Sequence, residues 1–187
     1  MKAAPDQQRQ LLDLADLDAE IARARHQLKN LPEDAALARL DADLEKARED
    51  VAAAQVAVDN LDREYANIEA EVTGMAEHAR RDQEKLASGA LSHKAMSDMQ
   101  HELTGLARRQ ENAETELLEV MEQQEATGAE YQRAQATVLQ LETERTDAEG
   151  ARRAAAVTLD DRLEDLGTRR SAVTAEVPDD LLGVYEK

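Results

Sequence analysis

The chain contains no cysteine, no phenylalanine and no tryptophan. Without cysteine it forms neither a disulfide nor a thiolate metal site, which suits a reducing compartment. Its only aromatic residues are Tyr65, Tyr131 and Tyr185. A thick globular core needs large side chains, so this composition supports only a thin core, two helices wide. Long apolar runs are missing too: no stretch approaches the roughly 18 consecutive apolar residues of a membrane span, and Met1 to Gln10 holds no apolar leader segment. Those absences predict a soluble, cytoplasmic protein. Basic charge is scarce, with 23 Lys and Arg against 41 Asp and Glu and a net charge of −18. A uniformly acidic surface repels nucleic acid and anionic lipid. Met1 to Leu12 does not supply the basic amphipathic helix that membrane remodelling needs, so no membrane partner is expected. There is no glycine-rich phosphate loop and no nucleophile motif, and the many carboxylates have no concave site to perturb them. The expectation is a protein that is not an enzyme, with no catalytic residues.

What the chain does have is a gapless heptad seam. Stepping alternately by three and four from Leu37 meets Leu40, Leu44, Ala47, Val51, Ala54, Val58, Leu61, Tyr65, Ile68, Val72, Met75 and Ala79, every one apolar. With 42% of the chain hydrophobic, chance gives such a run about once in 10^5 trials at fixed phase. The period is that of a coiled coil, and the Ala-, Glu-, Asp-, Arg- and Leu-rich composition agrees.

Three helical stretches follow from the pattern. The first runs from about Pro5 to Asn30, with Leu14, Leu17, Ile21, Ala24, Leu28 and Leu31 in its seam. Pro32 and a two-residue phase slip predict a break there. The second stretch runs to about Ala87, and Ser88-Gly89-Ala90-Leu91-Ser92-His93 reads as a turn. Gly89 suits the left-handed end of one helix and Ser92 the cap of the next. The third stretch runs from Lys94 to about Glu176. Its seam contains Met96, Met99, Leu103, Leu106, Ala113, Leu117 and Val120, interrupted by Gln110, Gln124, Thr127 and Arg145. Polar seam residues usually fix register at some cost in stability.

The predicted fold is therefore all-α: a long antiparallel coiled-coil hairpin, kinked near Pro32 and Gly150. Its arms span about 5–87 and 94–176, its tip 88–93, and a C-terminal segment 178–187 follows. At 1.5 Å per residue each arm is about 120 Å long. Folding about the turn pairs Ile68 with Ala113, Leu61 with Val120 and Leu40 with Leu141. In the first helix it pairs Leu14 with Leu166 and Ile21 with Leu159. The rival arrangement is a three-helix bundle in which the first helix folds back at Pro32.

The tip differs chemically from the arms. From His78 to Arg109 there are six basic residues and four acidic ones, a local balance of +2 that leaves −20 on the remainder. Two readings fit: a docking tip for an acidic partner or an RNA, or a solvated helix surface with ordinary charge scatter. The docking reading assigns partner binding to Arg80, Arg81, Lys85, Ser88 and Gly89 on one side of the turn. On the other side it assigns His93, Lys94, His101, Arg108 and Arg109. A metal set made from His78, His93 and His101 is disfavoured, because no helix carries a histidine pair at i, i+4. The expectation is no metal ligand and no cofactor.

The tip also carries a resemblance. Asp82-Gln83-Glu84-Lys85-Leu86-Ala87-Ser88-Gly89, Ser92-His93-Lys94, Met99-Gln100-His101-Glu102-Leu103 and Leu106-Ala107-Arg108-Arg109-Gln110 look like the hairpin tip of a bacterial family. Its members join an N-terminal coiled-coil hairpin to a four-cysteine zinc ribbon. The ending Val177-Pro178-Asp179-Asp180-Leu181-Leu182, with Tyr185-Glu186, resembles the segment before that ribbon. Where the family commonly has Ser-Pro-Lys-Glu, this chain has Ser92-His93-Lys94-Ala95. These 187 residues contain no ribbon, so zinc is expected only if one exists elsewhere in the full gene product. The resemblance implies a chaperone-like adaptor or scaffold that presents its tip to a protein partner, as a monomer or dimer. The alternative it implies is RNA or DNA binding through the tip together with the ribbon.

Overall fold

A computed structural model describes residues 4–89 and 91–186. Ala90, which the sequence places in the turn, lies outside the described residues. Four helices are present: α1 (Pro5–Lys29), α2 (Pro32–Ala87), α3 (His93–Glu176) and α4 (Asp179–Tyr185). Together α1 to α3 form the coiled-coil hairpin that the heptads predict, with a slight bend joining the first two. Among the described residues no helix is long and apolar enough to cross a membrane.

Helix ends follow local chemistry. Asn30 closes α1, its N–H donating to Gln27 O at 3.1 Å and its Nδ2 to His26 O at 2.8 Å. Pro32 then opens α2, where a missing N–H sacrifices no helical bond. At the turn, Gly89 takes φ +67, which costs a residue without Cβ little. Ser92 Oγ accepts from the Ala95 N–H at 3.3 Å and caps α3. Gly150 sits inside α3, whose helix continues through it.

The chain divides into two compact units, Met1–Leu44 with Gln140–Lys187, and Glu45–Leu139. In the first unit, Arg170 pairs with Asp18, Arg162 with Glu20, Arg152 with Asp34 and Arg145 with Asp41. Residue numbers fall on α3 as they rise through α1 and α2, so the pairing is antiparallel and α1 continues along α3. The arrangement with α1 folded back on α2 is excluded, because Asp18 would then lie far from Arg170. The register in α1 differs from the predicted one. Leu166 is packed by Leu17 and Ile21, with Leu163 and Val173 alongside, so its cluster begins one helical turn beyond Leu14. The reason is electrostatic as well as apolar. Four arginines along α3 each find a carboxylate on the opposing arm, and heptad matching alone is satisfied by several alignments.

In the second unit Ile68, Ala113 and Val120 form the core, with Leu61, Tyr65, Val72, Met75 and Leu117 packed around them. The predicted partners Ile68–Ala113 and Leu61–Val120 fall within this cluster. Every seam position from Leu37 to Ala79 is buried or half-buried. Most are only half-buried because each faces a single opposing helix.

Candidate functional site

The residues expected at the docking tip are all exposed: Arg80, Arg81, Lys85, Ser88 and Gly89 at the end of α2, and His93, Lys94, His101, Arg108 and Arg109 on α3. Two of the cations are already engaged. Arg80 Nη1 lies 3.2 Å from Glu84 Oε1, and Lys85 Nζ lies 2.9 Å from Asp82 Oδ1. Arg109 turns its Nε to Gly105 O at 3.4 Å. Among the described residues Arg81, Lys94 and Arg108 make no ion pair. Ser88 Oγ donates to Lys85 O at 2.6 Å, so its hydroxyl proton is used in closing the helix end.

The structure does not gather His78, His93 and His101. Its one cluster of metal-capable side chains among the described residues is His78, Asp82 and Glu102. His78 Nε2 stands 3.2 Å from Asp82 Oδ2 and 3.6 Å from Glu102 Oε1. Asp82 is the only buried charged or polar residue described, at 2% exposure. Lys85, hydrogen-bonded to its other oxygen, holds the Asp82 carboxyl below the usual carboxylate range against the opposing effect of burial. The pattern contained a signal for this group. Three residues past Ala79 the heptad phase arrives at Asp82, and His78 and Asp82 are spaced i, i+4 on one helix face.

Beside this group lies an open groove of about 670 Å³, lined among others by Gly74, Met75, Glu102, Leu106 and Arg109. A Cβ added at Gly74 would meet nothing within 4 Å, so glycine there is not required by crowding.

The polar seam residues bridge the arms. Gln124 Nε2 donates to Asp62 Oδ1 at 2.7 Å, and Arg145 Nε to Asp41 Oδ1 at 2.6 Å. Gln110 instead stays on its own helix, donating to Glu114 Oε1 at 2.8 Å. A further polar centre was not foreseen. Arg170 Nε donates to Asp18 Oδ1 at 2.6 Å, and the Tyr185 hydroxyl donates to Asp18 Oδ2 at 2.9 Å. Through Tyr185 this centre fastens α4 to α1. Only long-range pairing reveals it, since Asp18 and Tyr185 are 167 residues apart.

Comparison with known proteins places these features in context. Residues 14–187 match the sequence model of the CT398-like coiled coil hairpin domain. The chain is 37% identical over 188 residues to the Mycobacterium tuberculosis protein Rv2229c, covering all of this chain and 76% of that protein. A solved Mycobacterium smegmatis structure superposes with TM-score 0.78 at 40% identity, over all of this chain and 77% of that one. The structure of CT398 from Chlamydia trachomatis matches with TM-score 0.65 over 97% of this chain and 75% of that one, at 16% identity, and shares the fold.

Proposed function

Since the chain belongs to the family of CT398-like coiled coil hairpin domains, we propose that it is a non-catalytic scaffold or adaptor that presents its turn region to a protein partner. The observation that carries this reading is the distribution of charge. On a chain of net charge −18, the segment from His78 to Arg109 is locally basic, and all ten residues assigned to docking are exposed. Among the described residues Arg81, Lys94 and Arg108 have no ion pair of their own to give up. A docking partner with acidic side chains matches them, and the net negative charge of the arms disfavours such a partner there.

The proposal is tested with photo-crosslinking residues placed at Lys94 and, as a control, at exposed Val157. A discrete protein adduct from position 94, absent from position 157 and lost when Arg80, Arg81, Arg108 and Arg109 are changed to Glu, is the expected result. Equal capture from both positions, or capture that survives the charge swap, overturns it. Recovery of RNA in place of protein, with affinity falling steeply as salt rises, favours the nucleic-acid reading suggested by the resemblance.

A further inference from the structure

We propose that His78, Asp82 and Glu102 form a binding site for a divalent first-row transition-metal ion, with Zn²⁺ its natural probe, held between α2 and α3. Three independent features point there. The first is spacing. His78 and Asp82 lie one turn apart on α2, and Glu102 arrives from α3, with one donor atom from each lying within 4.8 Å of the others. Tetrahedral zinc with bonds of about 2.0–2.2 Å sets its ligand atoms about 3.3–3.6 Å apart. His78 Nε2 is 3.2 Å from Asp82 Oδ2 and 3.6 Å from Glu102 Oε1, so both distances from the imidazole match that spacing, and all three donors lie within 4.8 Å.

The second feature is Asp82 itself. It occupies a seam position where the neighbouring heptads place Met75 and Ala79, and it is 2% exposed. A carboxylate removed from water needs compensating positive charge. Lys85 provides some at Oδ1, leaving Oδ2 turned to His78. The third is proton arithmetic. One imidazole Nε2 carries at most one proton, which the two carboxylates it faces would have to share. A cation satisfies all three groups together.

The donor set selects the class of ion. One imidazole and two carboxylates suit zinc and its first-row neighbours, whereas Mg²⁺ and Ca²⁺ take oxygen ligands. Three protein ligands leave a further coordination position open. His78 and Glu102 also line the adjoining groove, from which water or a donor atom of a docked protein has access. The site stands independently of the docking reading, since metal uptake requires no partner.

The 187-residue chain has no cysteine, so thiolates do not compete in the test. Zn²⁺ is titrated calorimetrically and Co²⁺ by visible absorption. The expected result is one equivalent per chain, a raised melting temperature with Zn²⁺ and the strong d–d bands of tetrahedral Co²⁺. His78→Ala and Glu102→Gln should each weaken Zn²⁺ binding at least tenfold and cancel the thermal shift. The double variant His93→Ala, His101→Ala should keep full affinity, and millimolar Mg²⁺ should not displace Zn²⁺. Glu102 is exposed, so its amide variant remains folded, and metal-free circular dichroism melting verifies this. Absence of saturable Zn²⁺ binding at micromolar concentration, unchanged affinity in both single variants, or loss of binding in the His93/His101 variant overturns the site.

Discussion

Arg145 occupies a seam position of α3, yet its guanidinium reaches out of the seam to Asp41 on α2 at 2.6 Å and to Glu149 on its own helix at 2.7 Å. Asp41, its first cause, raises the Arg145 pKa above its ordinary value. The residue is only half-buried, so its pairing specifies alignment more than it stabilises. Replacing it with an apolar residue restores the heptad and removes the specification. Arg145→Leu should raise the melting temperature by about 2–4 °C while broadening the distance distribution between spin labels at Asp43 and Glu144. A lower melting temperature with an unchanged single distance would show that the pair stabilises and does not set register.

Glycines divide by backbone geometry. Gly89 has φ +67, a region where a Cβ meets the following carbonyl. Gly89→Ala should therefore cost about 1–2 kcal/mol, although nothing lies within 4 Å of the added atom. Gly105 and Gly150 are helical and equally open. Substituting alanine at either should stabilise by about 0.5–1 kcal/mol. Urea midpoints of the three variants give the comparison, and a stabilised Gly89→Ala would contradict the role assigned to its conformation.

Much of this architecture was legible because heptad spacing, one proline and one glycine are local signals. The seam from Leu37 to Ala79, the break before Pro32, the Gly89 turn and the Ser92 cap all depend on residues close in sequence. What escaped was set by pairing between distant segments. The alignment that puts Leu17 and Ile21 on Leu166 is fixed in part by Asp18–Arg170 and Asp34–Arg152, and nothing local tells which carboxylate an arginine will meet across the hairpin. The histidines illustrate the same limit. Counting His78, His93 and His101 as a set follows their nearness in sequence, while the partners His78 actually finds are carboxylates, one on its own helix and one from α3.

Leu166 is 1% exposed, in a fold whose core positions are mostly half-buried. Leu166→Ala removes atoms that Leu17 and Ile21 enclose and should cost about 2–4 kcal/mol, because little flanking structure can collapse into the space. Leu118, 62% exposed on the same helix, is the matched control and should change stability by less than about 0.5 kcal/mol on truncation. Hydrogen exchange should locate the loss in α1 and the facing part of α3. A comparable loss at both leucines would mean that the Leu166 cluster is not a packed core.

Asp18 and Tyr185 make the attachment of α4 dependent on pH at both extremes. The Arg170 hydrogen bond, aided by Tyr185, lowers the Asp18 pKa below its ordinary 3.8 against burial. A carboxylate whose folded pKa is depressed contributes stability that is present above its unfolded value and lost as pH falls through the folded one. Tyr185 is shifted upward from 10.0, by burial first and then by its bond to Asp18. A group held in its protonated form by folding contributes stability below its unfolded pKa and loses it as pH rises through the folded one. Attachment of α4 should thus hold steady from about pH 5 to pH 9 and weaken below about 4 and above about 10. Tyrosinate absorption should show Tyr185 ionising later than it does in the Asp18→Asn variant, and in Tyr185→Phe that late component should vanish. If Tyr185 titrates at the same pH with and without the Asp18 carboxylate, the 2.9 Å contact between them does not hold the helix in place.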